Sequence, residues 1–226
     1  NAVQSEIAIV NSVNLKLSDA DYFPVLVANQ VLGGDFNGYL NMNLREKHGW
    51  TYGSYSDIED NKYLAGKFKA QAQVRNAVTD SAVVEMLNEI KRIRTEKVSE
   101  ETLNSVKAGY VGRFVMQVQK PQSVARYAYN IETEGLPADF YENYIKNIQA
   151  VTADDVMRVM NKYALANNLR IIVTSKGSEV LSGLEKLGIP VFYYDKFGNQ
   201  TEKPAVKKSV PAGITVKTVI DNYAKA

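Results

Sequence analysis

The sequence predicts an α+β domain of two layers, a mostly antiparallel sheet with helices packed on one face. Three observations predict it. Residues 4–13 carry β-branched side chains in mild alternation, and 63–74 alternate Leu64, Gly66, Phe68, Ala70, Ala72 and Val74 with mostly polar neighbours, the period of a half-buried strand. Residues 79–163 then repeat their apolar positions at helical spacing, and 169–174 return to a short apolar run. Strands at both ends with helices between them build a sheet covered by a helical layer.

Taken in order, the first strand spans 4–13. Asp19 or Asp21 is placed to cap a helix running through Val31, which Gly33-Gly34 stops. A second short helix fits 38–47, ended by Gly49 in the usual C-terminal glycine position. Residues 51–58 and 63–74 read as two strands, antiparallel because only 59–62 connect them. Thr79 caps a helix with the stripe Val83, Met86, Leu87, Ile90, Ile93. Ser99 caps the next, with Glu100 and Glu101 in its first turn and the stripe Leu103, Val106, Tyr110, Phe114, Val118. Pro121 suits the first turn of a helix ending at Gly135, and Pro137 opens another to about Gln149. Thr152, three residues before Asp155, caps a helix with the stripe Val156, Val159, Met160, Tyr163. A short buried strand over 169–174, a helix over 178–186 and a strand over 191–194 complete the domain.

The bulk numbers bound the function. A chain of 226 residues with 45% apolar and 23% charged residues is ordinary for a globular protein. A net charge of +2 without a basic stripe argues against nucleic acid, and no apolar stretch reaches the roughly 20 residues of a membrane helix. Fourteen tyrosines suit surfaces that grip peptides as well as core packing. Past Gly198 the composition turns polar and lysine-bearing with Pro204 and Pro211, a linker, and 216–224 can begin a further helix. The organisation expected is thus 1–2 as a tag remnant, 3–198 as the domain, and 199–226 as linker and onset of a following segment.

The chemistry is limited by what is missing. There is no cysteine, and His48 is the single histidine. Zinc peptidase sites need at least two imidazoles with a neighbouring glutamate, so this segment holds no metal site and needs no cofactor of its own. No G-x-S-x-G elbow exists, and the glycines of 33–38 lack the lysine that a phosphate loop requires. Glu100-Glu101 and Asp154-Asp155 sit in first helical turns, where the helix dipole accounts for them. His48 itself reads as a solvent-exposed helix-end residue.

One stretch differs: Leu32-Gly33-Gly34, then Leu44-Arg45-Glu46-Lys47-His48-Gly49-Trp50-Thr51-Tyr52. Arg45 at a helix end and Tyr52 at a strand start are seven apart across a glycine turn. An arginine offers rigid donors to peptide carbonyls and a tyrosine a hydroxyl on a stiff arm. Taken alone, the pair fits ordinary structural roles as well. The string resembles the signature of the insulinase (pitrilysin) family of zinc metallopeptidases. Further landmarks follow in that family's order: Phe68 to Arg75, Val98 to Leu103, Gly135 to Tyr141, Val151 to Val156 and Leu169 to Val173.

That resemblance implies a clam-like shell of homologous α+β domains around a chamber. The family's inverted zinc motif, H-x-x-E-H, has no counterpart here, so the chain resembles a later, non-zinc-binding domain. By the same resemblance Arg45 and Tyr52 bind peptide or unfolded polypeptide near the scissile bond, with Tyr52 assisting catalysis at the oxyanion. Zinc would sit in a homologous domain, in cis or in a partner chain. Gly38 stands where many relatives have serine and Tyr39 where arginine often follows, so the helix start departs from the pattern. An alternative stays open, a catalytically inactive structural or partner subunit of the same family; the presence of both Arg45 and Tyr52 favours the peptidase. The tail looks like a connector of multi-domain bacterial members, which implies an extracytoplasmic location.

Overall fold

The computed structural model describes residues 3–203 and 216–223. The expected tag remnant at 1–2 and most of the expected linker, 204–213, lie outside the described residues. The chain divides into two compact units, Asn1–Lys176 and Gly177–Ala226.

The first unit is built on a four-stranded antiparallel sheet in the order β2-β3-β1-β4, with β1 Gln4–Val13, β2 Ser54–Ile58, β3 Gly66–Arg75 and β4 Arg170–Thr174. The central pair runs the full length of both strands, from Gln4 opposite Arg75 to Val13 opposite Gly66. Alternation decides which face is covered. Ile7, Ile9, Val13, Phe68, Ala70, Val74 and Ile58 are buried on one face, while Glu6, Lys67, Gln73, Tyr55 and Asp57 are exposed on the other. The sheet is therefore covered on one side, as the sequence predicts.

The helices of this unit are α1 Tyr22–Asn29, α2 Tyr39–Asn41, α3 Thr79–Thr95, α4 Glu100–Val118, α5 Pro121–Glu134, α6 Tyr144–Ala150 and α7 Ala153–Tyr163, of which α5 buries no residue. Both α1 and α2 relax into wider π-helical turns, Gln30–Gly34 and Met42–Lys47. The stripe of α3 is buried at Val83, Met86, Ile90 and Ile93, and that of α7 at Val156, Val159, Met160 and Tyr163. Local capping is as expected at three ends. Ser99 Oγ accepts from Thr102 N–H, α5 ends at Gly135, and Thr152 with Asp155 forms a reciprocal capping box.

Five expectations are corrected. Asp21 precedes α1 without a side-chain cap; its carboxylate takes Arg158 and Lys162 at 2.6 Å each and Tyr163 Oη at 3.0 Å, tying the start of α1 to α7. Thr79 likewise begins α3 without capping it, because its hydroxyl donates to Asn76 O and meets buried Ser5 Oγ at 2.6 Å. The α4 stripe buries only Leu103. Pro137 opens a series of turns, and helix resumes only at Tyr144. Finally β4 is not a buried strand: as an edge with a single neighbour it leaves Ile172 half exposed.

The second unit comprises α8 Gly177–Glu185, a hairpin of β5 Tyr193–Tyr194 with β6 Gln200–Thr201, and α9 Val216–Tyr223. The run expected as a strand over 191–194 thus pairs locally and does not extend the main sheet. Asp195 explains the tight return: its carboxylate accepts the Phe197 and Asn199 amides, and its own amide reaches Asn199 O. Glu185 accepts from Tyr193 Oη at 2.7 Å and from Lys203.

Candidate functional site

The two residues singled out in the sequence lie on either side of one tight connection. Leu44 is fully buried and anchors the π-helical turn that carries Arg45. The turn closes through backbone bonds from His48 to Asn43 O, Gly49 to Arg45 O and Trp50 to Leu44 O, with Gly49 at φ 61°. His48 is not the freely exposed helix-end residue expected. Its ring stacks on Trp50 with centroids 4.0 Å apart, and its Nε2 lies 3.9 Å from Glu85 Oε2.

Arg45 lies with its guanidinium carbon 4.3 Å from the ring centre of Phe36, a cation–π seat, and its Nη1 is 3.2 Å from Glu46 Oε1. That ion pair lacks hydrogen-bond geometry. Arg45 thus donates no hydrogen bond to a described residue; its Nη1 is buried, while the side chain as a whole keeps 34% of its surface exposed.

Tyr52 stands away from the protein, with 91% of its surface exposed. Its backbone is nevertheless fixed. Thr51 Oγ1 donates to Gly53 O at 2.8 Å and accepts from Gly53 N–H at 3.1 Å, clasping the residue between them. Gly53 is required by what lies over it: a Cβ there would come within 2.6 Å of the Tyr55 ring. No hydrogen bond or ring contact joins Arg45 to Tyr52 among the described residues; the fold sets them on one connection, each with its own support.

Beside Tyr52 the exposed face of the sheet forms a hollow of about 390 Å³ lined by Gln4, Glu6, Thr51, Tyr52, Tyr55, Gln71 and Gln73. It exists because β3 runs on to Arg75 while β2 begins only at Ser54, opposite Ala72. These lining residues went unremarked in the sequence, although the period-2 pattern that buries Ala72 and Val74 necessarily puts Gln71 and Gln73 on the open face.

The rim of β2 is closed by side chains. Ser54 N–H donates to Asn41 Oδ1 at 3.2 Å, Asn29 Nδ2 donates to Ser56 O at 3.2 Å, and Gly33 packs so closely that a Cβ would lie 2.6 Å from Ser56 N. The Leu32-Gly33-Gly34 string therefore supports the strand that follows Tyr52. The donor set does not fit zinc. The chain has one histidine and no cysteine, and no three of His, Asp and Glu converge among the described residues.

Comparison with known proteins agrees with this picture. Residues 3–110 match the model of the peptidase M16 inactive domain, in line with the resemblance to a non-zinc-binding domain of the insulinase type. Among solved structures, the peptidase M16 inactive domain from Pseudomonas fluorescens superposes with a TM-score of 0.69 at 22% identity, over 75% of this chain and 40% of that one. A protease from Helicobacter pylori does so at 0.69 and 14%, over 77% and 41%. The periplasmic protease PqqL from Escherichia coli gives 0.65 and 13%, over 77% and 19%. The chain thus spans about two fifths or less of these structures, and at these identities the likeness establishes the fold. No curated protein matches the sequence. Among the described residues no helix is long and apolar enough to cross a membrane.

Proposed function

We propose that this domain is part of the chamber wall of a zinc metalloendopeptidase. It holds peptide or unfolded polypeptide near the scissile bond, while a homologous domain, in the same chain or in a partner, holds the zinc. The observation that carries this reading is the pair of unspent donors. Arg45 is seated on Phe36 and Glu46 with a buried Nη1 that donates no hydrogen bond to a described residue, and Tyr52 is 91% exposed on a clasped backbone. A purely structural tyrosine would be expected to direct its hydroxyl inward, and a purely structural arginine to satisfy its buried Nη1.

Zinc held by the other domain would supply the activated water. The residues here bind and orient: Arg45 offers its planar fork to peptide carbonyls, and the Tyr52 hydroxyl donates to the oxyanion that develops on the scissile carbonyl. Because the relative from Escherichia coli is described as periplasmic, an extracytoplasmic location is part of the same proposal.

The test is Tyr52→Phe in the complete protease. With a role at the oxyanion, kcat falls on the order of 10- to 1000-fold with the fold unchanged. A kcat within twofold of the parent removes that role and leaves the structural-subunit reading in its place.

A further inference from the structure

The hollow beside Tyr52 has a chemistry of its own. Its lining carries one charged side chain, Glu6, and no cationic one. Glu6 and Gln73 face each other across β1 and β3, and Gln73 Nε2 donates to Glu6 Oε2 at 2.6 Å, which holds the carboxylate in place. Glu6 forms no ion pair with a described residue. Arg75, opposite Gln4, lines an adjoining hollow together with Glu6, Gln73 and Thr174 and makes no ion pair with Glu6.

Around that carboxylate stand groups that suit a long cationic side chain. Gln4 and Gln71 add amide carbonyls, which accept from an ammonium or guanidinium. Tyr52 and Tyr55 supply aromatic faces, against which methylenes pack and a guanidinium stacks. The Tyr55 ring is held over Gly53, where only glycine leaves it room. An acidic ligand side chain would meet Glu6 without compensation, and an aliphatic one would desolvate the carboxylate and amides for nothing.

We propose that this hollow is a subsite for a lysine or arginine side chain of an extended peptide passing Tyr52, with Glu6 as the residue that sets the preference. The inference rests on the peptide-holding function proposed above and adds the class of side chain taken.

The experiment uses the whole 226-residue chain and two fluorescent decapeptides identical except for a central arginine or norleucine, with affinities read by anisotropy. The arginine peptide binds about fivefold more tightly, the gain expected from an exposed ion pair of the stronger kind. The preference shrinks as salt is raised. Glu6→Gln, which melts at the parent temperature, abolishes it. If both peptides bind equally, or the preference survives in Glu6→Gln, the basic subsite is overturned while peptide holding stands. If neither peptide binds, peptide holding fails and the subsite with it.

Discussion

The amide of Ser54 donates to the side chain of Asn41, so the outer rim of β2 is closed by a helix residue and not by another strand. Asn41 is fully buried and at the same time donates to Phe36 O at 2.7 Å, linking the rim to the residue on which Arg45 rests. Asn41→Ala strands both backbone groups. We expect a loss of about 2–3 kcal/mol in urea unfolding, since each unsatisfied buried group costs roughly 1–3 kcal/mol. A loss below 0.5 kcal/mol would mean that water replaces the amide without difficulty.

Gly33→Ala probes the same rim from the other side. The added methyl meets backbone, Ser56 N at 2.6 Å, together with Leu40 Cδ1 and Ser56 Oγ at 2.9 Å. Backbone cannot rotate out of the way, so overpacking of about 1–3 kcal/mol is expected in the same assay. A neutral result would show that the π-helical turn at Gln30–Gly34 shifts freely.

Asp21 gives a pH signature. Burial alone raises its carboxyl, but hydrogen bonds from Lys162, Arg158 and Tyr163 outweigh it and hold the group at about 2. A carboxyl depressed in the folded state stabilises above its unfolded value near 3.8 and loses that contribution as pH falls through about 2. Arg158 and Lys162 are half in water, which cuts the contribution to about 1 kcal/mol. The stability gap between the parent and Asp21→Asn should therefore be full at pH 6 and narrow steadily from pH 4 to pH 2. A gap constant across that range refutes the assignment.

Arg45→Ala separates binding from folding. Its folded-state contact is a partly exposed cation–π pair, worth about 0.5–1 kcal/mol, so the melting temperature moves little. In the complete protease KM should rise with kcat largely kept, the pattern of lost uniform binding. Unchanged KM and kcat would exclude Arg45 from substrate contact.

What could be read in the sequence was what is local. The capping box of Thr152 and Asp155, the Ser99 cap and the helix between Pro121 and Gly135 are set by residues a few positions apart, and all appear as expected. The face pattern of β1 and β3 was equally plain. Asp21 was misread because its partners lie 137 to 142 residues away, and long-range ion pairs leave no periodic trace. Likewise Thr79 is drawn from its cap by Ser5, 74 residues distant. At the site, Arg45 and Tyr52 stood out through a family string, whereas Phe36, Tyr55 and the Glu6–Gln73 pair become neighbours only once three strands and a helix turn are assembled.

Tyr52 has a further consequence. Being 91% exposed, its side chain is all but invisible to the folding equilibrium, and exposed substitutions of this kind shift stability by only about 0.5 kcal/mol. Drift at this codon meets no resistance from the domain that carries it. If Tyr52 meets the peptide as proposed, the spectrum of residues tolerated at position 52 in a selection for proteolysis records the ligand and not the fold.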